Sequence, residues 1–163
     1  MSKCTFGKEE VSYLGHVISK EGVKVDLEKI KSIKEWHNLT NISKLREFLG
    51  LTVYYRRFIM NYTHRIAPLS NLLKNNAFHW NEEAEKCFEA LKGIISSTPV
   101  LATPEFSKPF MIECDASCYG LGAIIMQDEH SIAFKSRKLN KREQLKFTYD
   151  KEILGIMHAL EKW

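Results

Sequence analysis

Two carboxylates on different elements of one small unit are what a hydrolytic metal centre needs, and Asp115 and Glu152 meet that description. Asp115 ends an apolar, strand-like run, Phe110-Met111-Ile112-Glu113-Cys114, and is followed by Ala116-Ser117 and a Gly120-Leu121-Gly122 turn. Glu152 falls in a helical segment in which Tyr149, Glu152, Ile153, Ile156 and Leu160 share one side, so it is expected at the edge of the face that packs on the strands. Asp150 lies about 200° away around the same helix and belongs to its outer surface. Asp128 sits in a turn at the far end of its strand from Asp115. The usable ligands are therefore two, fewer than a metal pair needs. Spacing alone leaves a plainer reading open, in which Asp115 starts a turn and Glu152 is a solvated helix residue. Gly120 and Gly122 likewise relieve a tight turn or admit a nucleic-acid backbone, and Asp-x-x-x-x-Gly-x-Gly also suits the phosphate-binding turns of some ATPases.

The elements that must position these groups follow from periodicity. Three strands are expected over 109–115, 121–127 and 131–136, the last two joined by Asp128-Glu129-His130, and a helix capped by Thr148 follows. Upstream, alternation over 10–25 reads as a β-hairpin with Gly22 in the turn. Asp26 caps a helix whose apolar stripe is Leu27, Ile30, Ile33 and Trp36 or His37. A second helix carries Leu45, Phe48 and Leu49 until Gly50 interrupts it, and Tyr54-Tyr55-Arg56-Arg57-Phe58-Ile59 then alternates aromatic and guanidinium groups. Pro68 suits the first turn of a short helix. Asn81 caps a longer helix with Ala84, Cys87, Phe88, Leu91, Ile94 and Ile95 on one stripe. Pro99, Pro104 and Pro109 punctuate an extended connection, with a domain boundary expected near Ser107.

A chain of 163 residues that is 44% hydrophobic can bury one large core or two small ones. No apolar run approaches the roughly 20 residues of a membrane span, and the amino terminus lacks a signal-peptide core, so the expected address is intracellular, cytoplasmic or nuclear, with no membrane partner. Cys4, Cys87, Cys114 and Cys118 fall in separate segments without paired ligand spacing, which predicts reduced thiols. The net charge of +4 is unevenly placed. Residues 27–76 hold nine basic side chains against three acidic, whereas from Pro109 onward eight oppose eight. A basic helical region beside an electroneutral one points to a phosphate-bearing partner.

Several motifs follow one another along the chain: Lys3-Cys4-Thr5-Phe6, Tyr13-Leu14-Gly15-His16-Val17-Ile18, Phe48-Leu49-Gly50-Leu51 with Tyr54 to Ile59, Phe78-His79-Trp80, Pro99-Val100-Leu101, Pro109-Phe110, Asp115-Ala116-Ser117 with Gly120 and Gly122, Ser136-Arg137-Lys138-Leu139, and Lys151-Glu152-Ile153-Leu154. Taken in that order, they resemble the reverse transcriptase and ribonuclease H region of gypsy-type long-terminal-repeat retrotransposons. The resemblance implies an α+β chain: 1–25 the end of a polymerase palm with a primer-grip-like hairpin, 26–76 a helical thumb, 77–108 a connection, and 109–163 the N-terminal part of an RNase H-like domain. That last part comprises a three-stranded meander and the first helix, an incomplete fold. It further implies that Asp115 and Glu152 are the first two carboxylates of a four-carboxylate centre that uses two Mg²⁺ or Mn²⁺ ions to hydrolyse the RNA strand of an RNA–DNA hybrid. The other two would lie beyond residue 163, and the polymerase aspartates before residue 3, so activity of this chain alone is not expected. A template-primer duplex or RNA–DNA hybrid would meet Tyr13, Leu14, Gly15, His16, Lys44, Arg46, Tyr54, Tyr55, Arg56, Arg57, Ser117, Gly120, Gly122 and Arg137, with the rest of the retroelement polyprotein as the other partner. A non-catalytic nucleic-acid-binding module and a degenerate, inactive product are the competing readings. Gly155 and Asp150 stand where the family commonly shows Ala and Glu.

Overall fold

The alternating residues at the start of the chain form two hairpins rather than one. In the computed structural model, which describes residues 7–37, 39–74 and 78–163, β1 (Glu10–Tyr13), β2 (His16–Ser19) and β3 (Gly22–Val25) make an antiparallel sheet in that order. The Lys3 to Phe6 motif with Cys4, and the expected junction of thumb and connection at residues 76 and 77, lie outside the described residues. Leu14 and Gly15 turn the first hairpin with φ of 48° and 76°. Gly22 is not a turn residue but the first of β3, at φ +134°, and a Cβ there would lie 2.2 Å from the carbonyl oxygen of Leu101. Its bare backbone lets Val23 donate to the Leu101 carbonyl (2.7 Å) and Leu101 donate back (2.8 Å).

Helix α1 (Leu27–Lys34) starts where the Asp26 carboxylate accepts the Glu28 N–H. Ile33 is fully buried and Ile30 and Trp36 partly so, but Leu27, assigned to the same stripe by its spacing, is exposed. Helix α2 (Ile42–Tyr54), capped by Asn41, runs through Gly50 without the expected interruption. A mid-helix glycine costs about 1 kcal/mol, which the burial of Leu45, Phe48, Leu49 and Thr52 on the opposite side outweighs. A 3-10 turn (Arg56–Phe58) leads to α3 (Tyr62–Arg65), α4 (Ala67–Leu72) with Pro68 in its first turn, and α5 (Glu82–Ser96), capped by the Asn81 side chain. The α5 stripe of Ala84, Cys87, Phe88, Leu91 and Ile95 is buried, with Ile94 partly buried. Phe88 meets Phe48 edge-to-face at 4.8 Å, and Phe48 meets Trp36 at 5.8 Å, contacts worth about 0.5–1.5 kcal/mol each beyond area burial.

The second sheet is the expected meander: β4 (Met111–Ala116), β5 (Gly120–Gln127) and β6 (His130–Lys138), antiparallel in the order β4-β5-β6. Asp128 and Glu129 turn β5 into β6 with φ of 48° and 63°, the two left-handed residues that the twist of a two-residue hairpin requires. A capping box on Asn140 and Glu143 opens α6 (Lys141–Gln144), and α7 (Thr148–Leu160) packs on β4 and β5. Thr148 is the first residue of α7 rather than its cap; Phe147 holds the cap position, with no side-chain bond.

The two sheets are joined through more than sequence. Leu101 pairs with β3 while the next residue, Ala102, donates to Ser131 at 2.8 Å. The Gln127 side chain accepts from Glu105 N–H and donates to the carbonyls of Glu105 and Lys108, pinning the proline-punctuated connection to β5. On the helical side, the Thr63 N–H donates to the Ser136 hydroxyl at 3.0 Å, and Phe134 packs against the core of the α1–α5 unit. The α+β class holds. Cys87, Cys114 and Cys118 are free thiols, and burial pushes those of Cys87 and Cys114 above their ordinary range. Among the described residues, no helix is long and apolar enough to cross a membrane.

Candidate active site

Asp115 lies one residue inside the end of β4, at the edge of its sheet, paired in register with Gly122 of β5. Alternation along β4 leaves Ile112, Cys114 and Ala116 half-buried and Met111, Glu113 and Asp115 exposed. The helix sits on the first set: Cys114 Cβ lies 3.6 Å from where a side chain on Gly155 would begin. What α7 buries is the line Lys151, Gly155 and Ala159, spaced four residues apart. Small residues there bring the helix close, and its large apolar stripe is displaced outward. Ile153, Ile156 and Leu160, assigned by their spacing to the buried face, are thus exposed, as is Tyr149. Asp150, assigned to the outer surface, is half-buried instead.

This offset builds a groove. An open space of about 400 Å³ is lined by Ile112, Cys114, Asp115 and Ala116 from β4 and by Glu152, Ile156 and Leu160 from α7. Asp115 and Glu152 therefore border one concavity, on apolar walls, from two elements. Asp128 is elsewhere, in the β5–β6 turn, ion-paired to Lys108 at 3.0 Å. Among the described residues no three His, Cys, Asp or Glu side chains group to hold a metal. Two hard oxygen donors suit one Mg²⁺ or Mn²⁺ that keeps waters and takes further oxygens from a phosphate; they do not supply a pair of ions.

On its other side Asp115 borders a cavity of about 160 Å³ shared with Asn61, Thr63, His64, Ser117, Gly120, Gly122 and Ser136. Neither Gly120 nor Gly122 has a left-handed φ, so turn strain does not explain them. The space over Gly122 is taken by the Asn61 side chain: a Cβ there would lie 2.0 Å from Asn61 Oδ1. Asn61 itself is left-handed, at φ 53°, before α3. Ser117 closes the loop before β5, donating to the Gly120 carbonyl and accepting the Gly120 N–H, both at 3.0 Å. Nothing local in the sequence marks Asn61 as a neighbour of Asp115's strand, since the two meet only when α3 docks on the second sheet.

Seven of the residues expected to meet nucleic acid lie exposed in three places along the first half of the chain. Tyr13 and Leu14 are exposed at the β1–β2 turn, Lys44 and Arg46 on the outer side of α2, and Tyr54, Arg56 and Arg57 where α2 ends. Tyr55 is different. It is 1% exposed, in the core, so its ring cannot stack on a base. It acts through the hairpin, its hydroxyl donating to the Gly15 carbonyl at 3.4 Å, while Tyr54 donates to the Leu14 carbonyl. His16 stacks on Tyr54 at 5.1 Å, and burial with the nearby Arg57 charge holds its imidazole below the ordinary histidine range. Arg137 is also used internally. Its guanidinium donates to both Glu143 oxygens at 2.8 and 2.9 Å, which with the Asn140 N–H holds the Glu143 carboxyl down to about 2.

A two-layer unit of three antiparallel strands and a helix, following a strand-and-helix unit that it packs against, defines the class. The chain belongs to the family described as RNase H-like domain found in reverse transcriptase, which it matches over residues 80–163. It is 38% identical over 161 residues to the retrovirus-related Pol polyprotein from transposon 297 of Drosophila melanogaster, covering 98% of this chain and 15% of that protein. It is 38% identical over 173 residues to the retrovirus-related Pol polyprotein from transposon gypsy of the same species, covering 98% of this chain and 17% of the other. The fold is similar to that of the foamy viral protease-reverse transcriptase in complex with RNA/DNA hybrid, with a TM-score of 0.86 at 22% sequence identity over 95% of this chain and 22% of that one. The resemblance to gypsy-type elements is borne out, and the chain spans less than a fifth of the length of these two curated relatives.

Proposed function

We propose that this chain is the thumb, connection and leading RNase H portion of a retrotransposon reverse transcriptase, and that it grips an RNA–DNA hybrid or template-primer duplex. The observation that carries the reading is the groove that Asp115 of β4 and Glu152 of α7 both line, in a chain of this family. In it, Asp115 and Glu152 would hold a divalent cation next to the scissile phosphate, which α7 and the edge of β4 position from either side. Such an ion, when bound, supplies a Lewis acid for the phosphodiester and lowers the pKa of water. Tyr13 and Leu14 at the hairpin tip, with Lys44, Arg46, Arg56 and Arg57, would follow the phosphates without reading bases, which predicts steep salt dependence.

Fluorescence anisotropy with a labelled RNA–DNA hybrid tests the binding. Affinity is expected to fall linearly in log–log form with salt and to be lost in the Arg56→Ala, Arg57→Ala double variant; binding no tighter than that of an acidic control protein sinks the proposal. Paramagnetic broadening by Mn²⁺ of signals around Asp115 and Glu152, abolished by Asp115→Asn, tests the cation site separately. With two carboxylates at the groove, the chain by itself is expected to leave the hybrid uncut in Mg²⁺ or Mn²⁺. Robust cleavage that Glu152→Gln abolishes would overturn that expectation. The exposed Lys44, Arg46, Arg56 and Arg57 support, as the second reading, a module that binds nucleic acid without cutting it.

A further inference from the structure

Unmatched positive charge gathers away from the carboxylate groove, along the opposite edge of the second sheet. A cleft of about 230 Å³ is lined by Tyr54, Arg56 and Arg57 on one wall and by Phe134, Lys135 and Ser136 of β6 on the other. All the carboxylates of the chain lie among the described residues, and none stands within ion-pair distance of Arg56, Arg57 or Lys135. Arg56 and Arg57 are solvated, but Lys135 is half-buried, and the charges of Arg56 and of Lys162, after α7, bear on it. Burial and both neighbours push its ammonium below the ordinary lysine range. Three converging cations with no acid among them weaken the folded state unless an anion joins them.

We propose that this cleft is a phosphate-backbone site that straddles the two halves of the chain, with Arg56 and Arg57 on the helical side and Lys135 on β6 holding phosphates of one nucleic-acid strand. It rests on the nucleic-acid reading above and extends it from the helices onto the second sheet. Ser136 adds a hydroxyl already oriented by Thr63, and the exposed Tyr54 ring offers a face on which a base can stack. Arg137, the next cation along β6, is neutralised by Glu143, whereas Lys135 is left free for a ligand.

The test is salt-dependent hybrid binding by the whole chain carrying Lys135→Gln, with Lys135→Arg and Lys86→Gln alongside. Lys86 is exposed on α5 and paired with Glu82 at 2.6 Å. Lys135→Gln is expected to weaken binding to different sequences alike and to lower the salt slope by about one, the release of roughly one counterion. Lys135→Arg should restore the slope, and Lys86→Gln should not alter it. Thermal melting at low salt gives the discriminating readout: Lys135→Gln should melt no lower than the parent, because it removes an unmatched charge. A variant that binds less and melts lower would show Lys135 to be structural and overturn the proposal. An unchanged slope would overturn it too, while leaving hybrid binding by the helices intact. A parent chain that binds no hybrid removes both readings together, and Lys135-dependent binding of polyglutamate in preference to the hybrid would assign the cleft to an acidic protein instead.

Discussion

Asn61 and Gly122 show how much a single missing methyl can decide. The Asn61 side chain occupies the place a Cβ would take beside Asp115's partner residue. Gly122→Ala is expected to destabilise the protein by about 1–3 kcal/mol through overpacking. In an Asn61→Gly background, which keeps a residue tolerant of left-handed φ, that cost should fall close to zero; urea melts of the four chains measure the coupling. Equal cost in both backgrounds would mean the two residues do not share the space. At the same scale, Glu143 gives a pH signature. Its carboxyl ionises at about 2 when folded, against an ordinary 4.5, chiefly because Arg137 donates to it and secondarily because Asn140 does. A depressed folded value means its stabilisation is present above the ordinary value and is lost as pH falls from about 4.5 through 2. Carboxyl-resolved NMR should find Glu143 still ionised at pH 3, and Arg137→Gln should bring its titration back toward the ordinary range.

The helix α7 carries the lesson of the element scale. Its stripe of Ile153, Ile156 and Leu160 reads as a buried face, but the residues α7 buries are Lys151, Gly155 and Ala159, with Gly155 against Cys114 of β4, and the large residues are exposed. Periodicity identifies which residues share a side of a helix, not which side meets the sheet. A Cβ on Gly155 would make an ordinary 3.6 Å contact with Cys114, so Gly155→Ala should gain helix propensity without a clash. An increase in stability of about 0.5–1 kcal/mol in a chemical-denaturation curve is the expected result; a decrease would mean that α7 and β4 have less room than this geometry gives them. Asp26 and Asn81 cap their helices as their positions before apolar stripes predict, because a cap bond closes within two or three residues; Asn41 caps α2 in the same way although its sequence reads only as a polar break.

For the molecule as a whole, cohesion turns on the seam between the helical unit and the second sheet. Phe134 in the core and Ser136 on Thr63 cross it, and the connection braces it, through Leu101 on β3 on one side and Ala102 on β6 and Gln127 of β5 on the other. We expect one cooperative unfolding transition, with tryptophan fluorescence and far-ultraviolet circular dichroism coinciding in urea; two separated transitions would show that the seam is weaker than either unit. The local order of the chain was legible from its residues: the three strands of the second sheet with their β5–β6 turn, the helices capped by Asp26 and Asn81, the basic helical region and the ordered motifs of its family all rest on neighbours a few positions apart. The same residues named Asp115 and Glu152 as a pair. What only the tertiary structure decided is who meets across long separations: that Asp115 borders Asn61 as well as Glu152, that Tyr55 is core and Arg137 an internal partner of Glu143, and that Lys135 faces Arg56. Patterns of 2 and 3.6 residues encode which face a side chain is on, whereas the docking of one face on another depends on the volumes of residues far apart in sequence, which no local period records.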